Sequence, residues 1–429
     1  MKFYSTKNKS QGYSFREAVI QGLAPDGGLF MPERIEPFHD DYFSHLKDKS
    51  LPEMSFEVAR QLLKGLIDDD VLMDIVQRTV NFEVPVVQVD PDAWAVELYH
   101  GPTLAFKDFG ARFLAGLMGH FAQQQDREIV VLAATSGDTG SAVANGFYNV
   151  KGVRVIILYP SGKVSPLQEK QLTTLGGNIT AWEVRGTFDD CQRLVKQMFL
   201  DAELRKKYQL TSANSINIGR LIPQSFYYFY GWAQVSKPGK PVVVSVPSGN
   251  FGNLTAGVIA KRLGLPIDRF IATTNVNDVV PEYLSKHVFS PRPSKQTISN
   301  AMDVGDPSNF ARLLDLYSEK EMTTDITGYS FTDEETRNVM RSVYTAKKYM
   351  LDPHGAVGYL GLRKYLDASA GPVAGMFLET AHPGKFSEVV EDTLGVNLVL
   401  PKALDVLRDK AKQSVVVGST LEEAKQRLL

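Results

Sequence analysis

The sequence predicts an α/β protein: mostly parallel sheets flanked by helices, preceded by a helical N-terminal region. Three observations carry that expectation. Short β-branched runs recur at Ile129 to Ala134, Val153 to Tyr159, Val242 to Val246, Phe270 to Thr273 and Val373 to Leu378. Each is apolar along most of its length, as in a strand buried on both faces. Each ends in a turn-rich loop leading into a helical pattern, the signature of successive strand–helix units.

The first 85 or so residues lean helical and lack long β-branched runs. Ser14 with Glu17 forms a capping box ahead of a helix from Phe15 to Gln21. Gly-Leu-Ala-Pro-Asp-Gly-Gly-Leu-Phe-Met-Pro, residues 22 to 32, is a punctuated loop, and two helical stretches follow through Val80. Ser419 with Glu422 is expected to cap a last helix. Residues 285 to 309 hold several Ser and Pro without periodicity, so they read either as a mobile loop or as a surface connection. A chain of 429 residues exceeds what one core usually organises. The expected division is a helical domain over 1–85, a first α/β region over 86–235 and a second over 236–429.

Composition narrows the function classes. Apolar content of 43% and charged content of 22% are those of a globular protein. A net charge of −2 with both signs interspersed points away from nucleic acid and from anionic membrane surfaces. The single cysteine, Cys191, excludes an intrachain disulfide and a Cys-based zinc site, and no metal centre is expected. The start has no apolar run resembling a signal peptide, and the longest apolar stretches fall short of the ~20 residues that span a bilayer. A soluble cytoplasmic protein, monomeric or homodimeric, is expected.

Chemistry concentrates in four loops. His-Gly-Pro-Thr-Leu-Ala-Phe-Lys-Asp-Phe-Gly, residues 100 to 110, sets Lys107 among Leu104, Ala105, Phe106 and Phe109. Burial disfavours the ammonium and leaves a free amine nearer neutral pH, as Schiff-base chemistry with a carbonyl requires. The alternative is a lysine snorkelling from a helix face. Pro-Ser-Gly-Asn-Phe-Gly-Asn, residues 247 to 253, joins a strand to a helix from Leu254 to Leu263. Unpaired amides at such a helix start suit a phosphate dianion. The loop has neither the Gly-Lys-Ser/Thr of a nucleotide-binding P-loop nor the Gly-x-Gly-x-x-Gly of dinucleotide binders. The alternative is a plain turn capped by Ser248 or Asn250. Ala-Thr-Ser-Gly-Asp-Thr-Gly-Ser-Ala, residues 134 to 142, offers hydroxyls and amides to a carboxylate, or N-caps at Ser136, Asp138 or Thr139. Leu-Glu-Thr-Ala-His-Pro-Gly-Lys-Phe, residues 378 to 386, puts Thr380 at a strand's carboxyl end, with His382 either an acid–base group or a hydrogen-bonded loop residue.

Together these segments, with the loop at residues 22 to 30, closely resemble the threonine synthases, pyridoxal-phosphate enzymes of the tryptophan-synthase-like fold (type II), over nearly the whole chain. The resemblance implies two open twisted sheets with pyridoxal 5′-phosphate between them. It makes Lys107 the Schiff-base lysine and gives the cofactor phosphate to the amides of Gly249, Asn250, Phe251, Gly252 and Asn253. Thr380 would face the pyridine nitrogen, where a hydroxyl leaves the ring a weaker electron sink than a carboxylate would. Ser136, Gly137, Asp138 and Thr139 would surround the substrate carboxylate and the cofactor's phenolic oxygen. Related enzymes often have Asn where Asp138 stands, and a carboxylate beside a phenolate requires that one of them hold a proton. The substrate implied is O-phospho-L-homoserine, giving L-threonine and phosphate, with Lys107 as the general base. Lys163, Arg112 and Lys385 are the candidates for the substrate phosphate, and each is equally readable as a surface charge. His100 is read as packing.

Two rival functions stand beside this one. Another lyase of the same cofactor class, such as a serine or threonine dehydratase, would lack this N-terminal region. A catalytically silent protein binding a phosphorylated amino acid would have little reason to keep Lys107.

Overall fold

Local chemistry sets the N-terminal elements. The Ser14 hydroxyl accepts from the Glu17 N–H while the Glu17 carboxylate takes the Ser14 N–H, so the Phe15–Gln21 helix has the predicted bounds. Helices Leu51–Leu62 and Asp69–Thr79 follow. The region is not all helix, however. In the computed structural model, which describes residues 1–123, 127–135 and 137–429, β1 (Phe3–Ser5), β2 (Asn8–Tyr13) and β3 (Phe30–Pro32) form an antiparallel sheet of order β2-β1-β3. β2 reads Asn-Lys-Ser-Gln-Gly-Tyr and exposes its first five residues, so no apolar alternation marks it as a strand.

The remaining strands build two larger sheets. They are β4 (Val86–Asp90), β5 (Ala93–Glu97), β6 (Ile129–Ala134), β7 (Val153–Pro160), β8 (Ile179–Val184), β9 (Gln209–Ser212), β10 (Val242–Pro247), β11 (Ile267–Thr274), β12 (Ile326–Ser330), β13 (Ala374–Glu379) and β14 (Val415–Val417). One sheet has the order β12-β11-β10-β13-β5-β4 and is parallel except at the β4–β5 edge. The other, β14-β8-β7-β6-β9, is parallel throughout. Every residue of β6, β10 and β13 is buried, which is why these strands read as largely apolar runs.

The sheets do not follow the expected sequence division at residue 235. Strands over 86–97 pair into the sheet of residues 242–379, while β14 edges the sheet of residues 129–212. The physical reason is the β5–β13 ladder, which sets Glu97 opposite Glu379. That ladder delivers the lysine segment to the carboxyl end of β13. At the C-terminus, Thr420 rather than Ser419 is the N-cap of the Leu421–Leu428 helix, and the Gly418 N–H takes the Glu423 carboxylate.

Candidate active site

The lysine loop is stitched to the end of β13. The Phe106 N–H donates to the Thr380 carbonyl (2.9 Å), the His382 N–H donates to the Leu104 carbonyl (3.1 Å), and Ala105 bridges Ala381. Beneath it, the Thr103 N–H and hydroxyl both donate to the buried Asp108 carboxylate (2.9 and 2.6 Å). Lys107 is therefore fixed as the first residue of the Lys107–Ala122 helix, with its side chain 15% exposed. Its Nζ stands 3.6 Å from Asp138 Oδ2. Burial lowers the Lys107 pKa; Asp138 opposes that shift, and the cations Lys385 and Arg220 reinforce it. The net direction favours a neutral amine.

Asp138 opens the Asp138–Phe147 helix after β6. The turn before it needs glycine: Gly137 has φ of +147°, which side chains with a Cβ avoid, and a Cβ there would meet Gln168 at 2.9 Å. Gln168 Nε2 donates to Asp138 Oδ1 (3.1 Å), and Lys385 Nζ lies 2.7 Å from the same oxygen. Lys385 is fully buried and also donates to the Thr103 carbonyl (2.8 Å). Burial alone would raise the Asp138 pKa, but Lys385 foremost, and then Lys107, overcome it and hold the carboxyl well below the usual range. Two lysines thus flank the one aspartate.

Neither Asp138 nor Thr139 caps this helix, and Ser136 lies outside the described residues. The loop's hydroxyl anchor is Thr135, whose Oγ1 accepts from the Gly137 and Gly140 N–H groups (3.0 and 2.9 Å). Thr139 sits half-buried on the first turn. The sequence already contained Thr135, one residue ahead of the segment's polar run.

The loop expected to hold a phosphate, residues 247–253, follows β10. Phe251 takes a left-handed conformation (φ +60°) as N-cap of the Gly252–Arg262 helix, so neither Ser248 nor Asn250 caps it. The side chains instead brace the loop. Asn253 donates to the Pro247 carbonyl (2.8 Å) and accepts from the Ser248 hydroxyl (2.7 Å), while Asn250 donates to the Ser215 hydroxyl (2.5 Å). Among the described residues, no backbone N–H from Gly249 to Asn253 donates to a protein acceptor. Five free amides at a helix start fit a phosphate dianion. Gly249 has a different reason to lack a Cβ, which would press on the Ala301 carbonyl and Met302 Cα at 2.8 Å. That contact shows residues 285–309 to be no loose surface connection. Ala301 packs on the phosphate loop and donates its N–H to His354 Nε2 (3.2 Å), and Asp303 accepts from Asn275 and Thr297 (2.9 and 2.7 Å).

Behind Thr380 lies a group of buried ionisable residues. Because His354 Nε2 accepts from Ala301, its proton sits on Nδ1, which donates to Asp352 Oδ1 (2.7 Å). Neither Glu379 oxygen has a hydrogen-bond partner among the described residues. Burial, then the nearby Asp352 and Glu97 carboxylates, push the Glu379 pKa well above its ordinary 4.5. The folded chain therefore holds a proton that the unfolded chain releases above pH 4.5. Its stabilising effect is complete below that pH and is lost as pH rises toward the folded value. Relative to the parent, Glu379→Gln is expected to be more stable at pH 6.5 than at pH 5, by at most about 1.4 kcal/mol per pH unit. Urea denaturation at the two pH values measures the change, and a pH-independent difference would contradict it.

The other predicted cations separate. Arg112 bonds the Arg78 carbonyl at the end of the Asp69–Thr79 helix and lies over the Phe82 ring. Lys163 is exposed on the loop after β7, five residues before Gln168. His100 pairs with Glu97 (2.7 Å) and stacks on Tyr99, while His382 Nδ1 accepts from the Gly384 N–H (3.0 Å). Arg220 was not anticipated; it is buried, donates to the Ala213 carbonyl (2.7 Å) and adds positive charge near Lys107. Among the described residues, no helix is long and apolar enough to cross a membrane.

Comparison with known proteins covers nearly the whole chain. The family profile described as threonine synthase N terminus matches residues 2–80, pyridoxal-phosphate dependent enzyme residues 81–374, and threonine synthase, C-terminal, residues 355–427. Threonine synthase of Haemophilus influenzae is 47% identical over 94% of both chains. That of Serratia marcescens is 44% identical over 100% of this chain and 99% of its own. The crystal structure of threonine synthase from Escherichia coli superposes with a TM-score of 0.92 at 43% identity, covering 100% of this chain and 99% of that one. The PLP-bound threonine synthase from Brucella melitensis gives 0.94 at 34% identity, covering 100% and 98%.

Proposed function

The chain belongs to the threonine synthase family of pyridoxal-phosphate-dependent lyases, and from that premise we propose that it converts O-phospho-L-homoserine and water to L-threonine and phosphate, with Lys107 moving the protons. Its cofactor is pyridoxal 5′-phosphate. When bound, that group supplies a carbonyl for the substrate amine and a conjugated ring that draws electron density from the bonds being broken.

The observation that carries the proposal is the buried Lys107–Asp138–Lys385 cluster. The reaction removes protons from Cα and Cβ, breaks the Cγ–O bond to phosphate, protonates Cγ, adds water's hydroxyl at Cβ and returns a proton to Cα. A desolvated amine shifted toward neutrality can accept and return such protons. Asp138, kept ionised by Lys385, stands 3.6 Å from the Lys107 Nζ and orients it. The free amides from Gly249 to Asn253 would bind the cofactor phosphate, and Thr380 would offer its hydroxyl to the ring nitrogen. Gly137 and Thr139, with Ser136, would take the substrate carboxylate. Lys163, exposed on the loop after β7, is the candidate for the substrate phosphate, and Lys385 is reassigned to Asp138. A cytoplasmic location fits this metabolic role.

Incubation with L-threonine tests the proposal against a dehydratase. Keto-acid release from L-threonine at a rate matching turnover of O-phospho-L-homoserine would favour the dehydratase, and the proposal expects none at that rate.

A further inference from the structure

Arg312, on the Phe310–Leu316 helix, is the largest fully buried side chain described. Its guanidinium makes five hydrogen bonds, all to neutral acceptors. Nη2 donates to the Ile216 and Phe30 carbonyls (2.7 and 3.0 Å), and Nε also donates to Phe30 (3.3 Å). Nη1 donates to Asn309 Oδ1 (2.6 Å) and to the Ser215 carbonyl (3.4 Å). Among the described residues, no carboxylate lies within the 4.0 Å of an ion pair. Burial lowers its pKa to about 9, which still leaves it charged at neutral pH. A buried cation without a carboxylate is costly unless other charge or dipoles answer it.

The acceptors point to what answers it. Ser215 and Asn309 are the residues against which the phosphate loop rests. A Cβ on Gly252 would stand 3.5 Å from Asn309 Nδ2 and 3.6 Å from Ser215 Cβ. Asn250 donates to the Ser215 hydroxyl (2.5 Å) and accepts from the Ser308 N–H (2.6 Å). On its other side the guanidinium grips Phe30 of β3, so one side chain joins the N-terminal sheet to the loop.

We propose that Arg312 is a positioning residue for the cofactor phosphate, supplying the buried charge that complements the dianion and holding Ser215 and Asn309 against the amides of residues 249–253. This rests on the phosphate-loop reading. It makes the preference for a phosphorylated cofactor depend on a residue that need not touch it, and it couples cofactor capture to the N-terminal sheet.

The test compares pyridoxal 5′-phosphate with pyridoxal, which keeps the aldehyde and lacks the phosphate. Both are titrated by absorbance into the cofactor-stripped parent, Arg312→Met, Arg312→Lys and Gly252→Val, with circular dichroism as the check on folding. In Arg312→Met the Kd for pyridoxal 5′-phosphate is expected to rise about 30-fold, and that for pyridoxal less than about 3-fold. Arg312→Lys keeps the charge and loses the fork, so its loss is expected to be about 5-fold, again confined to the phosphorylated form. Equal losses for both ligands, or no loss for either, would overturn the proposal. If the methionine variant does not fold, the lysine variant decides by the same selectivity. Gly252→Val separates the premise: the packing around Gly252 tolerates a Cβ, so its effect should fall on the phosphorylated ligand. If that variant keeps the full preference for the phosphate, the loop reading itself fails. If it loses the preference while the Arg312 variants keep theirs, only the role of Arg312 fails.

Discussion

Lys107→Ala is expected to lower turnover by about 10⁴-fold or more while leaving the fold intact, because it removes the amine that the proposed reaction uses to move protons. The fold should tolerate it for a specific reason. Asp138 keeps Lys385 at 2.7 Å and Gln168 at 3.1 Å, so no buried carboxylate is orphaned. The lost group is one whose charged form burial already disfavours. Steady-state rates and a thermal melt check the two halves, with a shift of less than about 4 °C expected. Near-normal turnover would sink the assignment.

Lys385→Met should behave in the opposite way, damaging stability as well as rate. The methionine fills the space but removes the 2.7 Å ion pair with Asp138 and the bond to the Thr103 carbonyl. Breaking one side of a buried pair costs about 3–5 kcal/mol. Asp138 would then keep the Gln168 hydrogen bond (3.1 Å) and Lys107 at 3.6 Å, a weaker hold on its charge. The sign of the pH dependence follows from its depressed pKa. The stability contributed by Asp138 is present above its unfolded value and is lost as pH falls through the folded one. The variant's deficit should therefore be full at pH 7 and narrow as pH drops below about 5. Removing a like charge should also raise the Lys107 pKa, moving the acid limb of kcat/KM to higher pH. Denaturation at several pH values together with a pH–rate profile would detect both changes. A deficit independent of pH would place the loss in packing rather than in charge.

Much of this site was legible in the chain because its signals are local. The Phe15–Gln21 helix follows from Ser14 and Glu17 alone, and Ile129–Ala134 shows its strand because both faces are buried. The free amides of residues 249–253 follow from a glycine-bearing turn at a helix start. What was hidden depends on contacts distant in sequence. Arg112 looked like a site cation because it is close to Lys107 in sequence, but five residues along a helix is about 140° around its axis. It therefore reaches the Arg78 carbonyl instead. Lys385 reads from sequence as a candidate for the substrate phosphate or a surface charge, because Asp138, its 2.7 Å partner, comes from the other sheet. The edge strand β2 carries polar residues because water covers it. Glu379 did leave a trace, as a carboxylate ending an otherwise apolar strand, and such an interruption marks a buried ionisable group. Arg312 left none, since its acceptors are the carbonyls of residues 30, 215 and 216 and a neighbouring side-chain amide.

The central claim is that one buried lysine carries elimination of phosphate through to hydration. The most direct measurement incubates the purified protein and pyridoxal 5′-phosphate with O-phospho-L-homoserine and quantifies phosphate and L-threonine together. Equal amounts of the two products, absent with Lys107→Ala, are the predicted result. Phosphate accompanied by a keto acid, or no product from a protein loaded with cofactor, would contradict it.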